Sequence, residues 1–135
     1  VTYVVLDTDV ASNLVRDRLP PAFLNRLATA VPCLTFVSVG ELTEWEIIRG
    51  WGAKSVDRLR RWVSSVPVLG YDAEVARTWG RMSAAGRRAG RRSPTNDMWI
   101  AACCVTEGLP LATMNAQDYE YLNEHHGLDL VTDPR

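Results

Sequence analysis

The sequence predicts an α/β domain built on a mainly parallel, five-stranded sheet flanked by helices. Three observations predict it. Short apolar runs alternate with longer stretches of helical periodicity along most of the chain. The first run, Tyr3-Val4-Val5-Leu6, is continuously apolar and ends on Asp7, as in a strand covered on both faces. The chain has 135 residues, 47% of them hydrophobic and 23% charged, enough for one core without disulfides or structural metal. One domain over residues 1–135 is expected.

The elements follow in order. Tyr3–Leu6 is the first strand, and Pro20-Pro21 opens a helix over Ala22 to Ala30 by fixing φ at its start. Leu34-Thr35-Phe36-Val37 reads as the second strand, followed by a helix opening near Ser38 with Leu42, Trp45, Ile47 and Ile48 on one side. Val56, Leu59, Trp62 and Val63 form an apolar stripe with arginines opposite. Pro67-Val68-Leu69 is a short third strand, and Val75, Trp79 and Met82 repeat the helical spacing after Asp72. The Gly86–Pro94 stretch reads as a mobile loop. Met98 to Val105 is apolar nearly all round and so belongs inside. Leu111-Ala112-Thr113 and Leu128 to Val131 complete the strands, with a helix between them ending near His125 and His126.

Composition excludes several functions. A net charge of −1 gives no global basic field, and Lys54 is the only lysine. Arg87, Arg88, Arg91 and Arg92 concentrate positive charge locally, which suits either a solvated loop or a local contact with phosphate. Cys33, Cys103 and Cys104 lack zinc-ligand spacing and read as small apolar residues in a reducing, cytoplasmic setting. No signal peptide or membrane-length apolar run is expected. Two adjacent histidines without a third argue against a histidine zinc site, and GxSxG, GxGxxG and GxxxxGK[ST] motifs are absent.

In parallel sheets, ligands bind beyond the carboxyl ends of the strands. Acidic and polar side chains recur there: Asp7-Thr8-Asp9, Ser38 to Glu41, Asn96-Asp97, and Asn115 to Asp118. Each has a structural alternative. Ser38 and Glu41 have capping-box spacing, Asp97 suits a first helical turn, Asp9 could cap a helix, and Asn115 and Asp118 could cap the next. Asp7 is hardest to explain this way, because a carboxylate ending an apolar strand is costly to desolvate without a cation. Acids gathered at one edge also raise one another's pKa. A divalent ion resolves the conflict, and all-oxygen donors suit Mg²⁺, or Mn²⁺ in its place, better than zinc.

The sequence resembles the PIN-domain family, and within it the VapC-type toxins of bacterial toxin–antitoxin pairs. The resemblance rests on Val5-Leu6-Asp7-Thr8-Asp9, Ser38-Val39-Gly40-Glu41-Leu42, Asn96-Asp97-Met98-Trp99-Ile100-Ala101-Ala102 and Ala112-Thr113-Met114-Asn115-Ala116-Gln117-Asp118-Tyr119, in that order and spacing. It covers nearly the whole chain and implies a PIN-like three-layer sandwich. It implies a Mg²⁺-dependent endoribonuclease in which Asp7 and Asp97 are the principal metal ligands and Glu41 is the third acid. Thr8 and Ser38 would be polar supports. The family often has a fourth acid just after the fourth strand, where this chain has Asn115, with Asp118 three residues on. Asp9 falls where the family varies among small polar residues. The resemblance also implies a cognate antitoxin and a homodimer, for which Trp45 and Trp51 could offer a groove or could simply pack in the core.

Two other readings bear on the same residues. Asp7-Thr8-Asp9 is similar to the DxD opening of HAD-type phosphohydrolases, but Ala11 stands where those have Thr or Val, and Lys54 lies in a helix away from any strand end. A PIN-like binding module without catalysis would explain Asn115 as a lost acid.

Overall fold

A computed structural model describes residues 2–134. Five strands form one sheet: β1 (Tyr3–Leu6), β2 (Val31–Thr35), β3 (Val68–Leu69), β4 (Leu111–Thr113) and β5 (Leu130–Thr132). The spatial order is β3-β2-β1-β4-β5, and every pairing is parallel. Seven helices connect them among the described residues: α1 (Thr8–Val15), α2 (Pro21–Leu27), α3 (Phe36–Ile48), α4 (Ala53–Ser65), α5 (Ala73–Arg88), α6 (Thr95–Glu107) and α7 (Ala116–His126).

The pleat of β1 sets the layers, because successive side chains point to opposite faces. Val4 and Leu6 pack with Val10, Phe23, Leu42 and Leu59, so α1 to α4 cover one face. Val5 packs with Met82, Ile100, Cys104 and Leu122, so α5 to α7 cover the other. The result is the expected three-layer sandwich. β1 is central: the chain builds outward through β2 and β3, then crosses to β4 and β5 on the other side. The topological switch point therefore lies between the carboxyl ends of β1 and β4, where such sheets open a crevice.

Several boundaries differ from the sequence reading. The second strand runs over Val31–Thr35, and Phe36 and Val37 already belong to α3. The cause is local: the Thr35 hydroxyl accepts a hydrogen bond from the Ser38 amide at 3.2 Å, so Thr35, not Ser38, caps the helix. The last strand starts two residues later than expected, and Leu128 is a buried core residue before it. Along α3, Leu42 is buried, but Ile47 and Ile48 are 70% and 77% exposed. The side that faces inward carries Ser38, Leu42 and Glu46 instead.

The expected mobile loop over Gly86–Pro94 is also corrected. Gly86 to Arg88 form the last turn of α5, and the chain folds back at once, with the Arg91 amide donating to the Gly86 carbonyl at 2.7 Å. A β-carbon on Gly86 would stand 2.5 Å from the Arg91 carbonyl oxygen, an approach only glycine permits. No helix among the described residues is long and apolar enough to cross a membrane.

Candidate active site

The switch point holds a cavity of about 110 Å³ lined by Asp7, Asp9, Glu41, Asp97 and Asp118, with Thr8, Asn115 and Tyr119. Four segments remote in sequence supply it. Asp7 and Asp9 come from the β1–α1 junction, Glu41 from α3, Asp97 from the first turn of α6, and Asn115 and Asp118 from the start of α7.

Asp7 caps α1, its Oδ1 accepting from the Val10 amide at 2.9 Å. It also takes a hydrogen bond from the Thr113 hydroxyl, which parallel register brings alongside, since Leu6 pairs with Ala112. Even so, its pKa is pushed up to about 6. Burial is the main cause and the charges of Asp9 and Asp97 add to it, overcoming the two hydrogen bonds. Asp97 is likewise held above the ordinary carboxylate range by burial, against a hydrogen bond from the Tyr119 hydroxyl, with Asp118, Glu41 and Asp9 as repelling neighbours. The Tyr119 phenol is raised in turn by burial and by Asp97 and Asp7, so it stays a protonated donor.

Glu41 is held from two sides. Thr8 Oγ1 donates to its Oε1 at 2.6 Å, and Asn96 Nδ2 donates to its Oε2 at 3.3 Å. A hydroxyl has one proton. With that proton on Glu41, the 2.9 Å contact between Thr8 and buried Ser38 must be a donation from Ser38. Ser38, Thr8 and Glu41 thus form a directed chain of hydrogen bonds. The capping-box alternative for Glu41 fails, because α3 starts before Ser38 and Glu41 lies in its second turn.

Both contenders for the fourth place reach the cavity. Asn115 Nδ2 donates to Asp9 Oδ2 at 3.4 Å, and Asp118 stands among the charges acting on Asp97. Asp9 is more central than its variable position suggests. It does not cap α1, since Asp7 does, and it lines the cavity directly. Thr113, Tyr119 and Asn96 join the site without a role expected from the sequence. Thr113 was findable from its place at the end of a strand that flanks β1, whereas Tyr119 and Asn96 carry no signal short of the fold.

The donor set suits a hard cation. No Lys or Arg lines the cavity, and none pairs with these five acids among the described residues. The acids ring the space without converging, and no three His, Cys, Asp or Glu groups among the described residues form a ready cage. Lys54 lines a different cleft with Arg16 and Arg18, so the lysine that a phosphohydrolase would need is not at the acids. The three cysteines are buried and unpaired.

A PIN-domain family model matches residues 4–121. The chain belongs to the PIN-domain family. Its all-parallel five-stranded sheet with helices on both faces is consistent with the α/β fold of that family. Among curated proteins, this PIN domain is similar to Ribonuclease VapC5 of Mycobacterium tuberculosis, with 29% identity over 94% of this chain and 93% of that one. Among solved structures it is similar to VapBC-1 from nontypeable Haemophilus influenzae, with a TM-score of 0.82, 20% identity, and coverage of 99% of this chain and 100% of that one. It is also similar to VapBC-5 of the VapBC toxin–antitoxin family from Mycobacterium tuberculosis, with a TM-score of 0.72, 23% identity, and coverage of 98% and 99%.

Proposed function

We propose that this PIN domain is a divalent-metal-dependent endoribonuclease, the toxin of a toxin–antitoxin pair, and that Mg²⁺ is its ion. The observation that carries the reading is the cavity itself: five carboxylates from four separate segments, with no basic side chain to neutralise them. The similarity to Ribonuclease VapC5 and to VapBC structures supports RNA as substrate and an antitoxin as partner.

Asp7 and Asp97 would hold the ion, with Glu41 as third acid and Asn115 or Asp118 completing the set. A bound divalent cation there supplies Lewis-acid activation of water and charge neutralisation at the phosphodiester. The side chains of the chain itself do the rest. Burial keeps Asp7 and Asp97 in a low-dielectric wall where their affinity for a cation is high. Tyr119 and Thr113 fix the orientation of those two carboxylates by donating to them. Thr8, backed by Ser38, aims Glu41, which can take the proton of attacking water at Oε2 once Asn96 yields it. The products would carry 5′-phosphate and 3′-hydroxyl ends. Exposed Ile47 and Ile48 at the end of α3 supply apolar surface for a second copy of the chain or for the antitoxin.

Sequencing the ends of RNA cleaved in cells expressing the chain tests the reading. Defined 5′-phosphate ends that vanish in Asp7→Ala or Asp97→Ala are expected. Cleavage by the purified chain that survives EDTA would overturn it.

A further inference from the structure

The first turn of α6 is the shared wall of three clefts. Asp97 and Ile100 line the acid cavity. Asn96 and Trp99 line a shallow cleft with Phe36 and Gly40. Thr95 and Met98 line a third cleft of about 150 Å³ together with Arg87, Arg91 and Arg92. Each pair is three residues apart, so each marks one side of the helix.

This third cleft is built, not incidental. The reversal after α5 is pinned by the amide of Arg91 on the Gly86 carbonyl, by the amide of Gly90 on the Arg87 carbonyl at 3.2 Å, and by the close approach at Gly86. Together they bring Arg91 and Arg92 back beside Arg87. The Arg91 guanidinium is also set 5.6 Å from the ring centre of Tyr121 on α7. Arg88 does not line the cleft. The lining is rich in donors and carries no carboxylate: three guanidiniums, the hydroxyls of Ser83, Ser93 and Thr95, and Trp79, whose buried indole nitrogen has no hydrogen-bond partner among the described residues. Pro94 caps α6 without any side-chain hydrogen bond, so no side chain blocks the amides of that first turn.

We propose that this cleft is a phosphate subsite that grips the backbone of the RNA strand beside the scissile bond. The inference rests on the ribonuclease reading of the acid cavity. An RNA strand is a polyanion, and the acid cavity repels it. A cleft of arginines on another side of the same helical turn offsets that repulsion and fixes where the strand crosses Asp97. Guanidinium forks match phosphate oxygens, and the hydroxyls of Ser83, Ser93 and Thr95 add neutral donors. Serine and threonine donors add no base preference, so the grip positions the strand and leaves base selection to the cleft with Phe36 and Trp99.

The test is the affinity of the purified chain for a short fluorescent single-stranded RNA, measured in EDTA across a salt series. The variant R87Q/R91Q/R92Q should bind about tenfold more weakly, with a salt slope shallower by about 0.7 for each phosphate that is no longer neutralised. R88Q, which removes the same charge from the neighbouring position, should bind as the parent does. G86A, which keeps every charge but displaces Arg91, should also weaken binding. Parental affinity and slope in the triple variant would overturn the proposal, as would equal losses in R88Q and in the triple variant. So would a triple variant that keeps RNA affinity and loses binding of an acidic peptide, because the cleft would then serve a protein. Because no cleavage is read, RNA binding through this cleft by a chain that never cuts would sink the ribonuclease reading and leave the subsite standing.

Discussion

Two carboxylates among the described residues are almost inaccessible, Asp7 at 5% exposure and Glu46 at 6%, and they are settled in opposite ways. Glu46, on the inward side of α3, meets Arg60 of α4, with Nη2 to Oε1 at 2.8 Å. The chain supplies its counter-charge. Asp7 has hydrogen bonds but no counter-charge, and its neighbours Asp9 and Asp97 repel it. A buried charge without a partner is costly. An arginine placed over Glu46 and none over Asp7 fits the proposal that Asp7 meets a cation from solution. The difference separates a carboxylate that joins two helices from one for which a catalytic role is proposed.

The widest separation should appear in activity. Asp7→Ala or Asp97→Ala should lower RNA cleavage by about a thousandfold or more, the loss of several kcal/mol of electrostatic stabilisation, in a single-turnover assay. Glu46→Gln should leave the rate near that of the parent. Comparable losses in both would erase the distinction.

Stability should separate them with the opposite sign. Because the pKa of Asp7 is raised to about 6, the folded chain keeps a proton that the unfolded chain releases once pH exceeds the ordinary carboxylate value. Its contribution therefore destabilises the fold as pH rises through that window, and the penalty persists above it. Asp7→Asn should stabilise the metal-free protein by about 1–3 kcal/mol near neutral pH, with the gain gone near pH 4, in denaturant titrations. Arg60→Met should do the reverse. It strands Glu46 and should cost about 1–2 kcal/mol, less than for a fully buried pair, because Arg60 is largely exposed and screened. The smallest effect belongs to the support of Glu41. Thr8→Val should slow cleavage about tenfold while leaving substrate affinity in EDTA unchanged.

Much of this contrast was legible in the sequence, and the illegible part has a physical reason. Asp7 stood out because an apolar run ending on a carboxylate has few structural uses. The sheet followed from periodicity, and the gathering of acids followed from strand ends. Glu41 was ambiguous because Leu34 to Val37 has strand-like composition. Only the hydroxyl of Thr35, taking the Ser38 amide, ends the strand early and moves the helix start. The exposure of Ile47 and Ile48 was not legible because hydrophobicity does not say which side of a helix faces in, and here that side carries buried Glu46. The Glu46–Arg60 pair joins two helices across a connection, and the Thr113 and Tyr119 bonds to the acids cross about a hundred and about twenty residues. Such pairings depend on register and packing, which no local pattern records. The arginine run showed its charge but not its shape, which depends on the close approach at Gly86.

The most direct measurement is thermal unfolding of the purified chain in EDTA and in rising Mg²⁺ or Mn²⁺, with Asp7→Asn and Glu46→Gln alongside. A cation that binds only the folded state raises the midpoint with its concentration. The midpoint should rise in this way for the parent and for Glu46→Gln. It should stay flat for Asp7→Asn, which should start from a higher midpoint in EDTA. A parent that ignores both ions, or an Asp7→Asn variant that responds as strongly as the parent, would contradict a cation held at Asp7.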